Sequence, residues 1–169
     1  MIYIPPVAAG VITFYWTVVF VHVMAVVVGF GPTFVYPILL GGARRRYPRM
    51  LPSLLETMDR IGKTVIGPAS ILILITGIYL VSDGPFDFDS QFVQVAMPIL
   101  IVLIFAGPLW FGRTEARLAE VAARDVAASG EGDLSLSPEL EAGLTKLSAT
   151  IRIANLAVLV ALFFMVVKP

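Results

Sequence analysis

Residues Val7–Gly41 read VAAGVITFYWTVVFVHVMAVVVGFGPTFVYPILLG, and this stretch decides the fold. It contains no Lys, Arg, Asp or Glu, and its one ionisable side chain is His22, the only histidine of the protein. An apolar run of about 18 residues or more is typical of a transmembrane helix. Because this run is nearly twice that long, it predicts a helix that crosses a bilayer and continues beyond it.

Composition extends this prediction to the whole chain. Of its 169 residues, 58% are hydrophobic and 14% are charged, whereas a soluble domain carries about 25% charged residues. We therefore predict an all-α polytopic membrane protein, with one domain over residues 1–169 and the lipid bilayer as its surroundings. The net charge of zero gives no indication of a nucleic-acid partner, and the absence of cysteine excludes disulfides and thiolate metal sites.

Charged residues divide the sequence into four apolar spans. After the opening run, uncharged stretches extend over 64–82, 90–112 and 153–167. The last stretch is shorter than the roughly 20 residues that a bilayer requires, so its helix has to include Arg152, whose long side chain can reach the interface. We predict a four-helix bundle with membrane segments at about 10–31, 64–82, 91–112 and 150–167.

The basic residues predict the orientation of the bundle. Eleven of the 12 Lys and Arg lie between spans one and two or between spans three and four. The opposite turn, Asp83–Asp89, contains neither. By the positive-inside rule, both basic connections face the cytoplasm and both termini lie outside. We therefore expect a multi-pass protein of a bacterial inner membrane.

The connections between the spans are themselves predicted to be helical. Ser53–Glu56 fits a capping box at the start of the second helix, and the Ser137-Pro138 pair fits the start of the fourth. The Gly41-Gly42 pair predicts the end of the first helix. The helices should therefore extend into the cytoplasm as a stalk formed by about 32–63 and 113–150.

His22 is the first candidate for chemistry. An ionisable side chain near the middle of a bilayer is costly and marks a candidate functional site. Imidazole can ligate haem iron, relay a proton or form a hydrogen bond with a quinone. The alternative is a neutral histidine that only links two helices, and the sequence leaves both interpretations open.

Other polar residues are candidate companions of His22. Tyr15 precedes it by seven residues and shares its helical face, and Thr76 offers a hydroxyl on the second span. Arg152 and Asn155 share a face at the inner interface, where they could bind a propionate or a phosphate. The simpler interpretation is that Arg152 snorkels or pairs with Glu56 or Asp59, and that each other polar residue links helices. The candidate cofactor-binding set is therefore His22, Tyr15, Thr76, Asn155 and Arg152.

Haem b is the cofactor that this set suggests, with His22 as the ligand of its iron. A single histidine cannot supply both axial ligands within one subunit. The second ligand would be Met24, Met97 or Met165, or a residue of a second subunit, although Met24 is only two positions from His22 and points to another face. The spans contain no Asp or Glu, so we expect no carboxylate proton relay of the pump type.

The first helix resembles that of a group of small bacterial membrane proteins. The resemblance rests on Phe20-Val-His22, the pair Gly29 and Gly31, Tyr36-Pro37 and the arginine cluster that follows. The group includes the HemJ-type protoporphyrinogen oxidases and the copper-resistance CopD-like proteins. The resemblance implies a four-helix bundle and favours haem at His22.

The second helix is similar to that of a related family. Ile71–Leu80, with its Thr76-Gly77 pair, resembles predicted integral membrane proteins of unknown function and similar length. This family is the closer match, because HemJ-type proteins have an arginine beside the proline near the end of helix one. Here that region reads Val35-Tyr36-Pro37-Ile38, so the resemblance does not extend to porphyrinogen oxidation.

Three functions are consistent with these observations. The leading hypothesis is that His22 binds haem or a porphyrin- or quinone-like redox ligand inside the bundle. The alternative is a small transporter or channel subunit in which His22 and Thr76 line a polar path between subunits. A third is a scaffold or accessory subunit that docks a partner through its cytoplasmic helices. A homo-oligomer or a membrane partner is expected, and the sequence leaves open whether the protein is an enzyme.

Overall fold

The computed structural model describes residues 14–130 and 134–168, and these residues form helices without any strand. The α-helices are α1 (Phe14–Arg46), α2 (Leu51–Ile61), α3 (Gly67–Ser82), α4 (Gln91–Ala106), α5 (Gly112–Ser129) and α6 (Pro138–Val167). A 3₁₀ turn, Pro48–Met50, precedes α2. Two π-helical turns, Gly62–Ile66 and Gly107–Phe111, join α2 to α3 and α4 to α5.

The described elements make four long helices: α1, the segment Pro48–Ser82, the segment Gln91–Ser129, and α6. All four are long and apolar enough to cross a membrane. In the apolar part of the bundle α1 packs against α3 and α6, and α4 packs against α3 and α6. Each long helix therefore packs against its neighbours in sequence, and α6 closes the bundle onto α1. The predicted all-α membrane four-helix bundle is confirmed.

The bundle has two unlike ends. The basic end, residues 36–66 and 107–151, holds most of the Lys and Arg, and there α2 packs against α5. The far end comprises residues 14–30, 70–103 and 155–168. The basic end has an extensive core, formed by the buried residues Tyr36, Leu40, Ala43, Leu51, Leu55, Met58, Leu118, Ala119, Val121, Ala122, Leu140, Leu144, Leu147 and Ile151.

One predicted helix end and one predicted helix cap are wrong. The Gly41-Gly42 pair does not end α1, which continues to Arg46. A glycine stop needs a positive φ, and among the described glycines only Gly130 has one. Ser53–Glu56 is not a capping box either, because α2 already begins at Leu51. A proline-containing 3₁₀ turn starts this helix instead.

The start of α6 is confirmed. Ser137 has an extended backbone, and its hydroxyl oxygen accepts a hydrogen bond from the Leu140 amide at 3.3 Å. Pro138 occupies the first helical position, where its missing N–H costs nothing. The Ser137 amide in turn donates to Asp125 of α5 at 2.8 Å, so the cap also attaches α6 to its neighbour.

The two π-helical turns lie opposite each other in neighbouring helices. Each is near a proline: Pro68 follows the first turn and Pro108 lies within the second. Proline cannot donate the usual hydrogen bond to the residue four positions back, so a wider turn accommodates the interruption. Single π-turns are frequent at functional sites, and here both border the same cavity.

Candidate functional site

The imidazole of His22 on α1 is held by Thr76 on α3. Nδ1 of His22 lies 2.8 Å from Oγ1 of Thr76. The Thr76 hydroxyl donates its own hydrogen to the carbonyl oxygen of Leu72 at 2.6 Å, so its oxygen is an acceptor for the ring. The proton of a neutral His22 therefore belongs on Nδ1, and the lone pair is on Nε2. In this tautomer Nε2 is the nitrogen that can ligate a metal.

Gly77 makes room for this ring. A Cβ atom at position 77 would lie 3.3 Å from Cε1 of His22, which is tighter than an ordinary contact. Both residues of the Thr76-Gly77 pair therefore help to position the His22 ring. Thr76 fixes one nitrogen of the ring, and Gly77 lets the ring approach the backbone of α3.

His22 lines a cavity of about 450 Å³, the far-end cavity. Ligand pockets in proteins commonly have about 300–1,000 Å³. The walls are mainly Val, Leu, Ile and Phe, and the described lining residues include no Asp or Glu. The lining residues with a polar group or a sulfur atom are Tyr15, His22, Met97, Met165 and Lys168.

The far-end cavity reaches the outer surface of the bundle. Val23, Val27 and Ile78 line it, and their side chains are also exposed. In a bilayer such apolar surface faces acyl chains. A lipophilic ligand therefore has a route into the cavity from the membrane.

Lys168 provides a positive charge at the edge of this cavity. Its Nζ lies 4.0 Å from the centroid of the Phe86 ring and 5.7 Å from that of Phe92. Both rings line the cavity, and the attraction of a cation to aromatic faces holds the ammonium there. An acidic group on a ligand would meet a cation at this position.

The structure brings together three of the five predicted site residues. His22 and Tyr15 line the far-end cavity, and Thr76 forms the hydrogen bond with His22. Asn155 lies elsewhere, where its Nδ2 donates to the Thr33 carbonyl at 3.0 Å and its Oδ1 accepts from the Thr33 hydroxyl at 2.7 Å. Arg152 is exposed and lines neither cavity that the structure describes.

Two of the three methionines proposed as iron ligands line the far-end cavity, and the third does not. Met97 on α4 and Met165 on α6 line the far-end cavity together with His22. Met24 is 42% exposed and is not part of the lining. Within the described residues no group of three or more His, Cys, Asp or Glu could hold a metal ion.

A second cavity, the basic-end cavity, has a volume of about 410 Å³ and lies between the two π-turns. Most of its wall is apolar. Its polar lining residues are Thr33, Tyr36, Asp59, Lys63, Ser70, Glu115 and Asn155. Two carboxyl groups thus face the interior of the bundle, immediately beyond the stretches that the sequence identifies as membrane segments.

Sequence reasoning missed these carboxyl groups, because it assigned residues 32–63 and 113–150 to a cytoplasmic stalk. Glu115 is only 4% exposed. The signal was present, since Glu115 recurs with Leu118, Ala119 and Ala122 at intervals of three and four residues. This spacing places it on the apolar face of α5.

Burial changes the acidity of this cluster. Removal from water, together with the negative charge of Asp59, raises the pKa of Glu115 to about 8, and the positive charge of Lys63 opposes the change. Lys63 forms an ion pair with Oδ2 of Asp59. Burial, together with the charge of Glu115, also raises the pKa of Tyr36 to about 12. At neutral pH, Glu115 and Tyr36 are therefore both protonated.

A family model matches most of the chain. A family model described as "Predicted integral membrane protein (DUF2269)" matches residues 16–169. Searches of curated proteins and of solved structures found no match. The predicted resemblance to a family of integral membrane proteins of unknown function is confirmed, and the relation to HemJ-type and CopD-like proteins stays a prediction.

Proposed function

The chain belongs to the DUF2269 family of predicted integral membrane proteins, and we propose that its far-end cavity binds haem b or a closely related redox-active ring. His22 is the side chain that contacts the bound group. The observation that carries this proposal is the hydrogen bond between Nδ1 of His22 and Thr76. It leaves Nε2 with a free lone pair on a ring that lines a large apolar cavity.

The donor atoms of the cavity fit haem. Haem iron takes imidazole nitrogen and thioether sulfur as axial ligands, and the cavity lining contains both in His22 and in Met97 and Met165. The hydrogen bond to Thr76 orients the imidazole and increases its basicity, as outer partners of metal-bound histidines do. Lys168 is placed to pair with a propionate. Bound haem would supply one-electron transfer.

The same hydrogen bond disfavours a quinone. A quinone carbonyl needs a donor, and the proton of the neutral His22 ring is already engaged at Nδ1 by Thr76. Nε2 can only accept. A metal centre is the better partner for a nitrogen in this state, so haem is favoured over the quinone-like ligand.

We place the basic end in the cytoplasm of a bacterial inner membrane, with both termini outside. The asymmetry of Lys and Arg supports this orientation, and it puts the far-end cavity in the outer half of the bilayer. Transport through a polar path and docking of a partner through the cytoplasmic helices stay predictions from the sequence. The apolar wall of the far-end cavity offers no support for a polar path.

A visible absorption spectrum tests this proposal. Detergent-purified protein is titrated with haem, and we expect a shifted Soret band that saturates at one haem per chain. His22→Gln should weaken binding at least tenfold. Thr76→Val, which keeps the shape of the side chain but removes the acceptor of the Nδ1 proton, should weaken it about tenfold.

Methionine variants provide the matched control. Met24→Leu changes the same residue type two positions from His22, outside the cavity, and should leave the spectrum unchanged. Met97→Leu and Met165→Leu test whether either sulfur would ligate the iron, because only a variant that removes a ligand should alter the bands. A wild-type protein that produces no Soret shift, or His22→Gln and Met24→Leu proteins that bind haem alike, would exclude haem ligation by His22.

A further inference from the structure

The basic-end cavity contains buried polar atoms that lack partners. Among the described residues, the Tyr36 hydroxyl and Oδ1 of Asp59 are fully buried and form no hydrogen bond. Tyr36 is itself only 6% exposed. An unsatisfied buried polar group costs about 1–3 kcal/mol, so groups left in this state next to a cavity point to a ligand that satisfies them.

The unpaired atoms lie together on facing helices. Asp59 Oδ1 is directed at α5, because a Cβ atom at Gly112 would lie 3.1 Å from it. Glu115 follows one helical turn later on α5. Tyr36 on α1 is close enough for the charge of Glu115 to raise its pKa. Three helices therefore contribute oxygen-bearing side chains to the lining of one cavity.

The charges around Glu115 indicate whether the ligand is positively or negatively charged. Asp59 and Lys63 form an ion pair and cancel each other, Tyr36 is neutral, and α6 contributes only Ile151, Ala154, Asn155 and Val158 to the wall. The one charge that is not balanced within the cavity is the carboxylate of Glu115, when it is ionised. The carboxylate oxygens of Asp59 and Glu115 can only accept hydrogen bonds, and the Tyr36 phenol can accept or donate, so a group with several N–H donors suits all three.

We propose that the basic-end cavity binds a lipophilic monovalent amine, whose ammonium group lies between Tyr36, Asp59 and Glu115, in exchange for the proton of Glu115. The carboxylic acid loses its proton to water as the ammonium group arrives, so the charge of the cavity stays constant. The N–H bonds of the ammonium group are directed to the carboxylate oxygens and to the phenol oxygen. The apolar body lies along the wall that includes Phe30, Ile104 and Phe111.

The exchange makes binding depend on pH. The pKa of Glu115 is about 8, and below this pH the proton competes with the amine. Each decrease of one pH unit then weakens amine binding up to tenfold. Between pH 8 and pH 6 the apparent affinity should fall about 50-fold. At pH 6, close to one proton should be released for each amine bound.

The probe is 1-naphthylmethylamine, and its neutral counterpart is 1-naphthylmethanol. Both are titrated by calorimetry into the protein in lipid nanodiscs, with empty nanodiscs as the background. Repeating the titration in two buffers of different ionisation enthalpy measures the released protons. We expect saturable binding of the amine with proton release, and binding of the alcohol at least tenfold weaker at pH 8.

Variants locate the exchanged proton. Glu115→Gln should weaken amine binding at least tenfold at pH 8 and remove its pH dependence. Glu120→Gln, an exposed glutamate on the same helix, is the matched control and should behave like the wild type. Tyr36→Phe should weaken binding severalfold while the pH dependence persists, because the titrating group is retained.

Several results would overturn this proposal. One is equal binding of the amine and the alcohol, and another is wild-type binding without proton release. A third is that the amine binds no better than it does to empty nanodiscs. If Glu115→Gln fails to fold, the proton release of the wild-type protein still decides the question. None of these results bears on haem binding at His22, which belongs to the other cavity.

Discussion

The two ends of the bundle are packed by different means. The largest side chains that are almost completely inaccessible all belong to the basic end: Leu51, Leu55, Met58, Leu140 and Leu147. Many large apolar side chains of the far end, such as Phe20, Val27 and Phe163, are instead exposed. Its buried cluster is small, with Ala25, Phe30, Ile73 and Val158. Water drives leucine inward, but lipid tails are as apolar as leucine and exert no such force.

The far end is held by close contacts and by hydrogen bonds between helices. Gly29 lets α1 approach Ala69 of α3, and Ala96 of α4 is buried. His22 pairs with Thr76 at this end, as Thr33 pairs with Asn155 nearer the middle. Small residues and interhelical hydrogen bonds are the means by which membrane helices associate. The packing of each end therefore corresponds to its surroundings: a buried leucine core suits an end in water, and small residues with interhelical hydrogen bonds suit an end in lipid.

The largest expected effect comes from a core leucine of the basic end. Leu147→Ala should lower the free energy of unfolding by about 2–5 kcal/mol, because it removes buried methyl groups and leaves a void. Leu147 is 0% exposed. Unfolding is followed by circular dichroism in mixed micelles with increasing SDS.

Leu156→Ala is the matched control for this measurement. It makes the same chemical change on the same helix, at a side chain that is 61% exposed at the far end. Because lipid or detergent surrounds this position in either variant, we expect a change below about 0.5 kcal/mol. Equal costs at positions 147 and 156 would mean that the two ends are packed alike.

Glu115 should produce the next largest effect, and it depends on pH. The pKa of Glu115 is about 8 in the folded protein, against 4.5 without burial. Between these values the folded state binds the proton more strongly than the unfolded state, so stability falls as pH rises from about 5 to 8 and then levels off. Glu115→Gln should flatten this profile and should be more stable than the wild type at pH 8.5 by about 2–4 kcal/mol.

The readout is the SDS midpoint at a series of pH values, with Glu120→Gln as the control. That variant should keep the wild-type slope, since Glu120 is exposed. If wild-type stability instead rises between pH 5 and 8, Glu115 is an ordinary ionised side chain in the folded protein, and the basic end contains no buried acid.

The sequence predicted the long helices well, because charge placement and apolar length act locally along the chain. Ser137 and Pro138 mark the start of α6 for the same reason. The π-turns were not predicted. Proline indicates where the hydrogen-bond pattern must change, but packing against the neighbouring helix decides whether the helix bends or widens.

The candidate site was predicted in part. Helical spacing identified His22 and Tyr15 as sharing a face, and Thr76 follows from its position on the second span. Asn155 was grouped with them because spacing shows which residues share a face and not which level of the next helix they meet. Its partner Thr33 lies eleven residues beyond His22, about 16 Å along α1. The level at which residues of two helices meet depends on how the helices are displaced along their axes. This displacement arises only when the bundle assembles, so residue spacing does not reveal it.

The smallest of these effects concerns the far end and uses two glycines of α1. A Cβ atom at Gly29 would lie 2.8 Å from Cβ of Ala69, whereas one at Gly31 would meet nothing within 4 Å. Gly29→Ala should therefore push α1 away from α3 and lower the free energy of unfolding by about 1–3 kcal/mol, and Gly31→Ala should be neutral or slightly stabilising.

The displacement of α1 also stretches the contact between His22 and Thr76, so Gly29→Ala should bind haem less tightly. Exchanging the partners, in Gly29→Ala with Ala69→Gly, should restore both properties, because the summed volume at the contact is unchanged. A double variant as unstable as Gly29→Ala would show that the close approach of α1 and α3 does not hold the far end together.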